Sequence, residues 1–251
     1  AHKGVRVYLF YIMWKIPLLH LKKEDWHVGG QIYAIQLKIG LPMALQYSIT
    51  AVGTMMVQSA LNILGSTLVA AFTAASKIEQ VVTQAYVAMG TTMATYGAQN
   101  IGAGKRQRAN ETLRYAVLIT VGFGIIVGIF MQFFASTVVA LFTDASDAQG
   151  AEVVRLGGQY LRGYVWDCMF AGIHFSFSGY FCACGKSGIS FLHNIIAITL
   201  VRIPGVYLAS TLFPDTLFPM GLATAAGSLL SAIICIAAFT ILNRKKKMKK
   251  D

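Results

Sequence analysis

Of 251 residues, 56% are hydrophobic and 12% charged, with a formal net charge of +11. A mean hydropathy of +0.60 excludes an ordinary soluble domain of this size. The cations sit at the ends of apolar runs and in Arg244-Lys245-Lys246-Lys247-Met248-Lys249-Lys250, not along one face. That pattern argues against nucleic acid as a partner and for a topology signal beside a lipid bilayer. Several runs reach the ~20 residues needed to cross a hydrocarbon core. The expected fold class is therefore all-α, a polytopic membrane helical bundle.

The chain opens at Ala1 in mid-pattern. Residues 1–14 read as the end of a truncated transmembrane helix, and residues 15–39 as a cytoplasmic linker. Pro17 breaks the helix, Lys15, Lys22, Lys23 and Trp26 suit the membrane surface, and 20–38 has an amphipathic character. Gly40-Leu41-Pro42 then opens a first complete span, 40–64. On it Gln46, Thr50, Thr54, Gln58 and Asn62 recur at helical spacing as one polar stripe. Polar groups in a bilayer face a cavity or a neighbouring helix, and the spacing leaves both open.

A second span, 67–98, carries Lys77 and Glu79, with Thr73, Lys77, Gln80 and Gln84 sharing a face. A charge near the centre of a span costs about 2.5–3.5 kcal/mol on insertion scales, so it must be paired or solvated. Lys77 and Glu79 lie two residues apart and point to different sides. Either lines a translocation path, or Lys77 reaches water by extending its stem. The glycine-containing turn Gln99-Asn100-Ile101-Gly102-Ala103-Gly104-Lys105 follows, with Arg106 and Arg108 behind it, and its cations mark a cytoplasmic loop.

The third span, 113–142, has Gly122, Gly124 and Gly128 for close helix contacts, and leads to an acidic, external stretch with Asp144, Asp147 and Glu152. In the fourth span, 158–183, Asp167 and His174 are seven apart and share a face. They form a proton-handling pair, or Asp167 pairs structurally with Arg162 or Arg202. Gly185-Lys186-Ser187-Gly188 lacks the spacing and the preceding strand of a phosphate-binding loop. It reads as a second cytoplasmic turn. The fifth span, 189–212, holds His193, Asn194, Arg202 and a kinking Pro204. The sixth, 217–242, ends in the basic tail, 244–251. Cys168, Cys182, Cys184 and Cys235 all fall within or at the edge of apolar segments and read as packed, reduced thiols, with no metal. Alternation of cation-rich and cation-poor loops places the C-terminus in the cytoplasm, and the expected location is the plasma (inner) membrane, multi-pass.

No nucleophile elbow, metalloprotease helix or dinucleotide loop occurs, so no enzyme and no cofactor are implied. Transport, or a non-catalytic role as a membrane partner, remains. The chain resembles the C-terminal half of a multidrug and toxic compound extrusion (MATE) transporter. The resemblance rests on Gly40-Leu41-Pro42, Asn62-Ile63-Leu64-Gly65, Ala71-Phe72-Thr73-Ala74-Ala75-Ser76-Lys77-Ile78-Glu79, the turn with Gln99, Asn100, Gly102 and Gly104, Tyr160-Leu161-Arg162, Cys184-Gly185-Lys186-Ser187 and Arg202-Ile203-Pro204.

This resemblance implies one six-helix lobe (helices 7–12, residues 40–243) of a twelve-helix protein whose N-terminal lobe is missing here. It also implies an antiporter exporting small organic, often cationic, compounds in exchange for H⁺ or Na⁺. A lipid-linked precursor flippase of the same superfamily and a non-transporting half-protein are the alternatives. The candidate pathway residues are Gln46, Thr50, Gln58, Lys77, Glu79, Gln80, Gln84, Asp167, His174 and Arg202. The acidic residues known for the family's Na⁺-coupled branch do not align with acids here. The corresponding positions fall near Thr50 and near Ile173 or His174.

Overall fold

A computed structural model describes residues 2–17, 20, 29–143 and 147–247. Its elements are helices: α1 (His2–Lys15), α2 (Gly30–Asn62), α3 (Ser66–Gly102), α4 (Arg106–Ala140), α5 (Ala148–Ala183), α6 (Ser187–Ala197), a π-helical turn (Ile198–Arg202), α7 (Ile203–Leu212) and α8 (Phe218–Lys247). Residues 1–38 and 39–251 are separate compact units. In the first, α1 carries Lys15, whose Nζ donates to Tyr11 Oη at 3.0 Å. The expected linker features at Lys22, Lys23 and Trp26 lie outside the described residues.

The helices outrun the spans read from the sequence. At 1.5 Å per residue, the 37 residues of α3 cover about 55 Å, well beyond a hydrocarbon core. α2 begins at Gly30 and runs through Pro42, which lies inside the helix and not in its first turn. α4, α6–α7 and α8 are long and apolar enough to cross a membrane on composition alone. α2, α3 and α5 have the length as well, but dilute their hydropathy with the polar residues considered below.

α5 is the axis of the bundle. It packs against α3, α4 and α8, and residues on every side of it are buried. Lipid tails supply no hydrophobic drive between helices, so close backbone approach does the work, and glycines permit it. A Cβ built on Gly179 would strike the Gly90 carbonyl oxygen of α3, and one on Gly124 would stand 2.6 Å from that of Cys168. The side α5 turns to α8 is as tight, with Gly163 and Gly221 facing each other.

Two turns repeat one geometry. Gly104 (φ +75°) ends α3, with Lys105 N–H donating to Asn100 O at 2.8 Å and Gly104 N–H to Ile101 O at 3.0 Å. Gly185 (φ +67°) ends α5, with Lys186 N–H donating to Phe181 O at 2.8 Å and Gly185 N–H to Cys182 O at 2.9 Å. Both are Schellman stops, in which a left-handed glycine lets the chain satisfy its last carbonyls. The Gly-Lys-Ser-Gly sequence is thus a helix terminator followed by a helix start.

Candidate functional site

The polar residues of α2, α3, α5, α6 and α8 converge on one cavity of about 280 Å³. Its α2 wall is Gln46, Thr50 and Thr54. Each threonine hydroxyl donates to the carbonyl four residues before it, 2.9 Å for Thr50 and 3.1 Å for Thr54, so it adds polarity without breaking the rod. Asn194 of α6 ties this wall to the bundle through a 3.0 Å bond from Nδ2 to Thr50 Oγ1. The stripe therefore serves both purposes that its spacing allowed: it lines a cavity and bonds a neighbouring helix. Gln58 departs from it, donating to Asn62 at 3.5 Å outside the cavity.

Charge enters from the opposite wall. Arg202 Nη2 donates to Glu79 Oε1 at 3.2 Å, joining the π-helical turn to α3, and Tyr160 of α5 donates to Glu79 Oε2 at 2.9 Å. Glu79 thus receives a hydrogen bond on each oxygen. Thr83 and Tyr164 pair one turn further on at 3.2 Å. The pairing of Asp167 with Arg162 or Arg202 is not formed. Arg202 is committed to Glu79, and Arg162 turns away to Gln132 O (3.2 Å) and Ser136 Oγ (3.5 Å) on α4. Asp167 is 6% exposed, and its Oδ1 has no hydrogen-bond partner.

His174 lines the same cavity, two turns from Asp167, as the heptad spacing implies. Its ring stacks on Phe175 at 4.7 Å and lies 5.8 Å from that of His193, whose Nδ1 is 2.7 Å from Ser231 Oγ on α8. Of the ten candidate pathway residues, the cavity gathers Gln46, Thr50, Glu79, Gln80, Gln84, Asp167, His174 and Arg202. Lys77 lies on the exposed side of α3, and the Gln99, Asn100, Gly102, Gly104 turn sits at the end of that helix, away from the cavity. Tyr160, Thr83, Asn194, Ser228 and Ser231 belong to the site without having been among its candidates. The face 160, 164, 167, 174 repeats at helical intervals on α5, and that signal was available for Tyr160.

The MatE family model matches residues 39–208. The chain belongs to the MATE family. Its relatives there include the "Probable multidrug resistance protein YpnP" of Bacillus subtilis, 28% identical over 80% of this chain and 44% of that protein. The "FAD transporter" of Shewanella oneidensis is 27% identical over 78% of this chain and 42% of that protein. A crystal structure of a MATE in complex with MaL6 superposes with a TM-score of 0.85 at 19% identity, over 98% of this chain and 55% of that one. The chain spans about half the length of the relatives it matches, and its fold is that of one six-helix lobe of the MATE architecture.

Proposed function

We propose that this lobe, together with an N-terminal lobe, forms a secondary antiporter that exports small organic compounds in exchange for H⁺ or Na⁺. The observation that supports it is a buried carboxylate in a polar cavity, bonded to Ser228 but with no ion pair and no hydrogen-bond partner on Oδ1. Arg202 cancels the charge of Glu79, which leaves Asp167 as the carboxylate without a cation of its own. An ionised Asp167 makes the cavity net negative and favours a cationic guest.

A coupling ion on Asp167 competes with that guest for the same charge. Ion and substrate then bias one equilibrium between two states, and this is the thermodynamic requirement for exchange. Gln80 and Gln84 at the exposed rim, with Thr50 and Asn194 inside, offer neutral hydrogen-bonding partners for uncharged parts of a substrate.

The test is efflux of a fluorescent organic cation from vesicles holding both lobes, under an imposed pH gradient and, separately, an imposed Na⁺ gradient. Gradient-driven efflux is expected with one of the two ions. No efflux under either gradient, with both lobes inserted and folded, overturns the reading.

A further inference from the structure

On the side of α5 away from the cavity, an apolar groove of about 230 Å³ runs between α4 and α5, floored by Gly124 and Gly128 and flanked by Val165, Trp166 and Met169. It ends at Gln132, and there Arg162 is fixed in place. Its Nε donates to Gln132 O at 3.2 Å and its Nη2 to Ser136 Oγ at 3.5 Å, while Gln132 Nε2 donates to Arg162 O at 3.4 Å. Among the described residues, no carboxylate lies within ion-pair distance of this guanidinium. We propose that the groove and Arg162 together bind one anionic phospholipid, its phosphate at Arg162 and one acyl chain in the groove.

The depth fits this occupant. From Arg162 to the end of α5 at Ala183 the helix axis runs about 30 Å, one hydrocarbon thickness, so the arginine stands at a headgroup level when Ala183 stands at the other. From Arg162 the groove descends into the chain region, because Trp166 and Met169 follow on α5 while Gly128 and Gly124 precede Gln132 on α4. The leaflet is the one on the side of the α4–α5 loop. An acyl chain meets no polar wall below Gln132, and glycines in place of side chains leave it the width. A guanidinium at the headgroup level, with no carboxylate beside it among the described residues, attracts an anionic phosphate. A zwitterionic lipid brings its own cation to the phosphate and satisfies Arg162 less well. Basic sites between transmembrane helices recognise anionic headgroups on this principle.

The glycines supply a sharp test. A Cβ at Gly128 meets nothing closer than Val165 O at 3.9 Å, so Gly128→Leu enters the groove from an open position, whereas Gly124 is closed against Cys168. Protein is placed in phosphatidylcholine vesicles doped with phosphatidylglycerol, or equally with phosphatidylcholine, carrying a diazirine on one acyl chain. After illumination, adducts are mapped to peptides covering 124–132 and 162–169.

The expected result is about fivefold more labelling by phosphatidylglycerol, the worth of one arginine at an anionic surface. Arg162→Gln should bring the ratio to one, Arg162→Lys should retain part of it, and Gly128→Leu should remove most labelling by either lipid. Ile126→Ala, on the exposed face of α4 but outside the groove, should change nothing. Equal labelling by the two lipids in the unsubstituted protein overturns the proposal. So does a preference that survives Arg162→Gln, or labelling that survives Gly128→Leu. If Arg162→Gln fails to fold, Arg162→Lys and Gly128→Leu decide the matter.

Discussion

Glu79 and Arg202 stand 123 residues apart in the chain and 3.2 Å apart in the cavity wall. Neither residue explains itself alone. An unpaired carboxylate on α3, or an unpaired guanidinium on the fifth span, would carry the full cost a bilayer sets on a buried charge. Removing one partner strands the other. Glu79→Gln and Arg202→Gln singly should each destabilise the lobe by about 2–3 kcal/mol, somewhat less than for a fully buried pair because both side chains keep some exposure. The double substitution should recover much of the loss. Thermal unfolding in detergent, analysed as a double-mutant cycle, measures the coupling; additive losses would refute it.

Asp167→Asn tests the other carboxylate. It keeps shape and removes charge, so protein abundance and melting should stay close to the parent while gradient-driven efflux is lost. If efflux persists at normal abundance, the coupling residue is elsewhere.

The backbone contact between α3 and α5 predicts a steric effect. Gly179→Ala places a methyl on the Gly90 carbonyl, where only helix separation can relieve the clash, and should cost about 1–3 kcal/mol. Gly188→Ala, with nothing within 4 Å, should be neutral in the same melting experiment. A Gly179→Ala protein as stable as its parent would mean that the two helices are further apart than described.

Glu152 and Arg155 show the opposite behaviour outside the membrane. The Arg155 guanidinium, hydrogen-bonded at 2.6 and 2.7 Å, holds the Glu152 carboxyl below the usual carboxylate range. A depressed carboxyl contributes above its unfolded-state pKa and loses that contribution as pH falls through the folded value, so the bridge is intact at neutral pH. Both groups are exposed and solvent-screened. Arg155→Ala should leave the melting temperature at pH 7 unchanged.

The spans, their order and the polar faces of α2 and α5 were legible because helical periodicity reports which side of its own helix a residue occupies. It says nothing of which helix that side meets. Lys77 is two residues from Glu79, about 200° around the helix, so the faces diverge as expected, but only the packed bundle shows Glu79 inward and Lys77 outward. Asp167 offered two arginines as partners from sequence alone; the structure gives one to Glu79 and turns the other to α4. Helix ends were underestimated for a further reason. Hydropathy marks the hydrocarbon boundary, whereas α3 runs past the expected 98 to Gly102, where Gly104 stops it, and α5, whose end at 183 was read correctly, starts ten residues before 158 at the Asp147 cap.

The cations of alternate loops predict the sidedness, and the prediction can be tested chemically. With the four native cysteines replaced, a membrane-impermeant maleimide applied to intact cells should reach Asp215→Cys and not Lys105→Cys. The reverse pattern would invert the lobe.

The π-helical turn at Ile198–Arg202 has a cause and an effect. Pro204 has no N–H to return to Leu200 O, and the extra residue of a wider turn absorbs the gap. One added residue advances everything beyond it by about 100° around the axis. Arg202 closes that turn, so its aim at Glu79 depends on the turn's length. The fifth span is therefore a two-part lever with its fulcrum in the cavity wall: Asn194 and Ala197 on one arm, Gly205 and Val206 on the other. A swing of one arm against the other would act directly on the Arg202–Glu79 contact, because Arg202 closes the turn that joins them.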